Sequence, residues 1–134
     1  MNKVGLISFI LFFAALSFGA SAAEIDAAGP REIVERYLAA SQNGDVDTMK
    51  ACISGPYYEK RRDLLEDNKS YPDFLRDYFD GIRIDIVEVG THDDNGSAIV
   101  VLKNQLREGS IIYTKLILKK DQMDNWKIFD ELFE

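Results

Sequence analysis

The spacing of apolar residues changes once along this chain, from the three-to-four-residue period of helices to the two-residue period of strands. In the first half, Gly29-Pro30, Gly55-Pro56 and Ser70-Tyr71-Pro72 each open an apolar series, and proline suits the first helical turn. Asp45 or Asp47 is placed to cap one more short helix. The pattern predicts four short helices. The residues that recur at helical spacing along them are Ile33, Val34, Tyr37, Leu38 and Ser41, then Val46, Met49 and Ile53, then Tyr57, Arg61, Leu64 and Leu65, and finally Phe74, Leu75, Tyr78 and Phe79.

From Ile82 onward, apolar and polar residues alternate, which is typical of half-buried strands. Asn95-Gly96 is a strong hairpin-turn signal, and two further turn sequences follow it at 108–110 and 121–125. Strands joined by such short turns must be antiparallel. We therefore predict an α+β fold in which short helices pack on an antiparallel sheet. Even-numbered side chains between Ile82 and Asp130 should face the helices, and odd-numbered ones should face away.

Three segments carry a family resemblance. The segments 34–40 (VERYLAA) and 43–49 (NGDVDTM), with the closing segment 125–130 (NWKIFD), resemble the nuclear transport factor 2-like superfamily, and within it small exported bacterial proteins of unknown function. The resemblance implies a cone in which a strongly curved antiparallel sheet wraps the helices, often around an apolar cavity at the wide end. Members include isomerases, cyclases, dehydratases, binding modules and docking domains, so the fold does not select a function.

The first 22 residues are typical of an export signal. Lys3 precedes an apolar run from Val4 to Phe18, and Ala20-Ser21-Ala22 matches a cleavage site. Cleavage would leave residues 23–134 as a single domain in the periplasm or outside the cell. The alternative is that the run stays uncleaved as a membrane anchor.

The formal net charge is −7, and losing Lys3 with the signal makes the chain more acidic. This negative charge disfavours nucleic acid and anionic membrane surfaces as partners. It allows a further alternative, in which the chain is an acidic inhibitor or immunity-like protein that binds a cationic partner. Cys52 is the only cysteine, so no internal disulfide can form. We expect a buried thiol there; an intermolecular bridge or a reactive thiol is the alternative.

Strand alternation and the implied cone select candidate pocket residues: Tyr37, Tyr78, Asn104, Thr114, Trp126 and Asp130. The alternative is that aromatic side chains fill the cone completely. We favour a non-enzymatic domain that binds a small apolar ligand. Superfamily isomerases pair an Asp base with a hydrogen-bond donor, so the enzymatic alternative would use Asp130 with Tyr37 or Tyr78. The Asp–His pair of the dehydratases is not carried over, because His92 lies beside the hairpin turn.

Two other clusters are interpreted as solvated. The sequence 92–95 (HDDN) offers too few ligands for zinc, and Leu102 occupies the position where a calcium loop needs Glu. Lys60-Arg61-Arg62 is flanked by Glu59 and Asp63, which is typical of a wet helix face. The sequence thus indicates no metal and no cofactor.

The predicted outer face of the sheet is unusually apolar for a surface in water. Superfamily members often dimerise through this face, so we expect a homodimer or docking to another exported protein. Partial cover of the face by Leu132-Phe133 is the alternative. The candidate interface residues are Ile99, Val101, Ile111, Tyr113, Ile117 and Phe129.

Overall fold

The computed structural model describes residues 28–92 and 96–133. The export signal and most of the first hairpin turn lie outside these residues, so both stay predictions. Within the described ranges the chain forms five helices followed by four strands. The helices are α1 (Pro30–Asn43), α2 (Val46–Ala51), α3 (Gly55–Glu59), α4 (Arg62–Asp67) and α5 (Tyr71–Phe79). The strands are β1 (Arg83–His92), β2 (Ser97–Gln105), β3 (Ile111–Lys120) and β4 (Trp126–Phe133).

The start and end signals of the first two helices act as predicted. Pro30 opens α1, and Gly44 ends it in the left-handed conformation with φ of 70°. Asp45 caps α2 by accepting a hydrogen bond from the Thr48 amide at 3.2 Å. The predicted third helix is wrong in extent, because the chain turns at Arg61 and divides it into α3 and α4. The Arg61 guanidinium reaches back to the Tyr57 carbonyl at 3.1 Å, which fixes this turn.

The strands form one antiparallel sheet in the order β1-β2-β3-β4. The helices pack on one face of this curved sheet, so the predicted α+β class is confirmed, in the arrangement that the superfamily resemblance implied. Alternation is also confirmed in the two central strands, where the inward side chains are buried: Ala98, Val100, Leu102, Thr114, Leu116 and Leu118. Ile128 of β4, opposite Leu118, is buried on the same face.

Two bulges interrupt the alternation in the edge strands. In β1 the extra residue is Val87, since Ile86 pairs with Leu102 and Glu88 with Val101. In β4 the register shifts in the same way, and Phe129 is the extra residue. Directly opposed residues share a face of the sheet. Beyond Phe129, Asp130 is therefore opposite the outward Ile117, and Glu131 is opposite the inward Leu116. The rule that even-numbered residues face inward is wrong past each bulge.

The free edge of β4 is covered by the short segment between α2 and α3. Ile53 bridges to Ile128 in parallel orientation, the Ser54 amide donates to the Ile128 carbonyl at 2.9 Å, and the Ile128 amide donates to the Cys52 carbonyl at 2.8 Å. Gly55 follows with φ of +57°. A Cβ there would lie 2.6 Å from Cδ1 of Phe129, so the ring needs a glycine beneath it.

Over residues 28–92 and 96–133, no helix is both long enough and apolar enough to cross a bilayer.

Candidate functional site

A cavity of about 250 Å³ lies between α1, α3, α5 and the inner face of the sheet. Its walls are mostly aromatic and aliphatic, and polar groups occur at two places. The side chains that carry the argument are Tyr37, Tyr57, Arg61, Phe74, Tyr78, Leu102, Asn104, Thr114, Leu116 and Glu131. The cone is therefore not completely filled by its aromatic side chains.

The first polar place, which we call the ion-pair end, consists of Tyr37, Tyr57, Arg61 and Glu131. Arg61 forms a salt bridge with Glu131 and lies 3.5 Å above the Tyr57 ring. The Tyr57 hydroxyl donates to the Tyr37 hydroxyl at 3.3 Å. Burial raises the pKa of Tyr57 well above 10.0 and also raises that of Tyr37. Both hydroxyls therefore keep their protons at neutral pH and can donate.

The second polar place, the amide end, is formed by β2 and β3. The Asn104 amide nitrogen donates to the Thr114 hydroxyl at 3.1 Å and to the Ile112 carbonyl at 2.9 Å. These bonds use the amide's donors and leave its Oδ1 as an acceptor. A smaller hollow of about 150 Å³ adjoins this end and is lined by Leu106, Ile112 and the cavity residues Asn104 and Thr114.

The open side of the cavity is bordered by α5. The Phe74 and Tyr78 rings stack at 5.7 Å between centroids and line the cavity, yet they are 57% and 47% exposed. Ile112 of β3 is exposed on the smaller hollow. Leu64 of α4 is exposed on a second hollow of about 420 Å³, which Arg61 and Glu131 also line. Exposed apolar groups beside a cavity indicate its entrance.

Four of the six candidate pocket residues are brought together at this cavity, namely Tyr37, Tyr78, Asn104 and Thr114. Trp126 is not among its walls; it pairs with Lys120 at the far end of β4. Asp130 is also outside it, because the Phe129 bulge turns its side chain to the outer face. There Asp130 accepts from Lys60 at 3.1 Å. The backbone amide of Glu131 and then Lys60 hold the Asp130 pKa below its ordinary value.

Sequence reasoning did not select Arg61 or Glu131 as site residues. The interpretation of Lys60-Arg61-Arg62 as a wet helix face is wrong for Arg61, whose guanidinium lies over Tyr57 and inside the cavity wall. Glu131 follows Asp130 directly, and only the bulge decides which of the two acids faces in. No signal in the sequence marks that bulge.

The candidate interface residues lie on the outer side of the sheet or at its β4 edge. Ile99 opposes Ile117, and both are half-buried beside Val101, while Ile111 and Tyr113 are more exposed at one end. Phe129 differs, since its ring packs on Gly55 at the covered edge. Leu132, which the alternative interpretation used as a cover for this face, is itself a residue of β4 paired with Lys115.

The described part of the chain contains no group of three or more His, Cys, Asp or Glu side chains able to hold a metal ion. His92 is the last residue of β1, at the hairpin end of the sheet. The predicted burial of the Cys52 thiol is confirmed, and burial raises its pKa. Cys52 is not among the residues that line the cavity.

Two solved structures are similar to this chain. One is a protein of unknown function with a cystatin-like fold from Methylobium petroleophilum, with a TM-score of 0.48 and 8% identity over 77% of this chain and 74% of that chain. The other is a ketosteroid isomerase-like protein from Erwinia carotovora atroseptica, with a TM-score of 0.42 and 15% identity over 85% of this chain and 95% of that chain. No family model matches the chain, and no curated protein matches it significantly in sequence.

Proposed function

We propose that this chain is an exported binding domain that holds a small, largely apolar ring compound in its cavity and performs no chemistry on it. The observation that carries the proposal is the cavity itself, with aromatic walls, two polar places and an entrance bordered by wet rings. Such a combination of apolar walls and few polar groups is typical of ligand sites. The signal-like first 22 residues support export.

The cavity volume limits the ligand. An apolar cavity of roughly 150 Å³ accepts benzene. By proportion, the 250 Å³ here accommodate roughly ten non-hydrogen atoms, which corresponds to two fused rings. Burying roughly 300 Å² of ligand surface is worth about 7 kcal/mol before the cost of association, which is at least several kcal/mol. Apolar contact alone therefore gives weak binding, and a tighter ligand must also use one of the polar places.

The enzymatic alternative depended on Asp130 as a base within the cone. Its carboxylate lies outside the cavity and is paired with Lys60. Proton transfer requires a base within hydrogen-bond reach of the substrate. An isomerase-type reaction in this cavity would need a different base, and we do not propose one.

Calorimetric titration with 2-methylnaphthalene tests the binding proposal, since this probe has two fused rings and no polar group. We expect saturable binding at micromolar to millimolar concentrations. Leu102→Phe, which fills space in the cavity wall, should weaken binding at least tenfold. Val101→Phe is the matched control, because the neighbouring side chain faces outward and its replacement should leave the affinity unchanged. Equal affinities in all three proteins would contradict binding in this cavity.

We also propose that the outer face of the sheet is the contact between two copies of this chain. The half-buried Ile99, Val101 and Ile117 give the face an apolar centre. The acidic Glu88 lies on the β1 side, whereas the basic Lys119 lies on β3; Asp85 of β1 is already paired with Arg83 at 3.1 Å. A two-fold axis along the strands would place the acidic side of one copy opposite the basic side of the other. Such charge complementarity favours a second copy over an unrelated partner.

A further inference from the structure

The carboxylate of Glu131 is nearly buried, although only one of its two oxygens is paired with Arg61. Its side chain is only 10% exposed, and Arg61 donates to its Oε1. The second oxygen, Oε2, accepts no hydrogen bond from any residue in the described ranges. A carboxylate has about four lone-pair sites, and buried acceptors left without a donor are rare in folded proteins. The Glu131 side chain also lines the cavity.

The groups around Glu131 determine what could satisfy it. Arg61 already neutralises its charge, so a cationic ligand group would be repelled by the guanidinium next to it. The walls beside it are the Tyr37 and Tyr57 rings, which contact in an edge-to-face arrangement at 5.6 Å between centroids. A neutral group that donates one hydrogen bond from a flat ring matches both constraints.

We infer that Glu131 is the specificity residue of the cavity, and that it accepts a hydrogen bond from a ring-borne hydroxyl of the ligand. This inference rests on the proposed function, since it names the ligand class of the same cavity. The ring lies among the tyrosines, its hydroxyl hydrogen points to Oε2 of Glu131, and its far side reaches the amide end. The Oδ1 atom of Asn104 is the acceptor available there for a second hydroxyl.

Two probes of nearly equal shape separate the hydroxyl from the ring, namely 2-naphthol and 2-methylnaphthalene. Hydrogen bonds to a charged acceptor contribute roughly ten- to a hundredfold in affinity. We therefore expect the wild-type chain to bind 2-naphthol at least tenfold tighter than 2-methylnaphthalene at pH 7. The comparison uses the unmodified protein, so it does not depend on the folding of any variant.

Substitution then locates the effect. Glu131→Gln keeps the shape but removes the charge, and should reduce the preference for 2-naphthol about tenfold while 2-methylnaphthalene binds as before. Asp130→Asn makes the same chemical change one residue away and outside the cavity, and should leave both affinities unchanged. Circular dichroism establishes that each variant is folded.

The outcomes distinguish the two proposals. If 2-methylnaphthalene binds but 2-naphthol binds no tighter, the role of Glu131 is refuted and the binding cavity stands. A preference that persists in folded Glu131→Gln, or that disappears in Asp130→Asn, also refutes the role of Glu131. If neither probe binds at millimolar concentration, the proposed function fails and the inference fails with it.

Discussion

Gly55 gives the sharpest test of how β4 is held against the helices. Replacing it with alanine imposes two costs. A left-handed backbone at φ of +57° costs an L-residue roughly 1–2 kcal/mol. The added methyl would also lie 2.6 Å from Cδ1 of the Phe129 ring, and such overpacking costs about 1–3 kcal/mol. Together, Gly55→Ala should lower the free energy of unfolding by about 2–5 kcal/mol.

The chain offers a matched control for the backbone term. Gly96 has a similar φ of +62°, and no described atom lies within 4 Å of its would-be Cβ. Gly96→Ala should therefore cost roughly 1–2 kcal/mol from the backbone alone. Any gain from a stiffer unfolded chain is shared by both variants and cancels in their difference. That difference, about 1–3 kcal/mol, measures the contact with Phe129.

Urea unfolding followed by fluorescence is the assay, and Trp126 is a convenient reporter because it is the only tryptophan and lies in β4. A second comparison uses the Phe129→Ala background. With the ring absent, Gly55→Ala should cost no more than Gly96→Ala. Two results would refute the proposed packing of the bulge on α3. One is that Gly55→Ala lowers the free energy of unfolding no more than Gly96→Ala does in the wild-type background. The other is that Gly55→Ala lowers it equally with and without the Phe129 ring.

Two further predictions concern charge and assembly. Asp121 accepts the amides of Asn125 and Met123 at 2.9 Å each, and these bonds, with that to Asn125 first, lower its pKa below the ordinary 3.8. Its ionised form therefore stabilises the fold above pH 3.8, and this contribution is lost as the pH falls through the folded-state pKa. Asp121→Asn should lower the urea midpoint more at pH 7 than at pH 2, and an equal loss at both would contradict this. For assembly, light scattering should show that the wild-type chain is a dimer and that Ile117→Lys is a monomer. The control Leu64→Lys, on the helical side, should remain a dimer. A monomeric wild type would refute the proposed interface.

The sequence was sufficient for the fold class because two regular periods dominate it. Inward residues such as Val100 and Leu116 alternate with outward ones over 98–102 and 114–118, so one face of the two central strands collects the buried side chains. Gly44 and Asp45 likewise mark a helix end and a helix start through local chemistry. Features that depend on neighbours in the chain were therefore predictable.

The site was only partly predictable, because its polar members depend on distant contacts. Arg61 is one of three adjacent basic residues, and only its pairing with Glu131, far along the chain, identifies it as the inward one. Phe129 is as apolar as the strand residues around it, so its bulge leaves no trace in the alternation. An error of a single position there exchanged Asp130 for Glu131 as the cavity acid.

The segment 52–54 joins the last strand to a part of the chain made much earlier. Until β4 is present, the amide of Ser54 has no acceptor and β3 has an unpaired side, so both remain open to other chains. A nascent polypeptide cannot close this seam before β4 emerges. The arrival of β4 is thus the event that seals this side of the sheet against self-association.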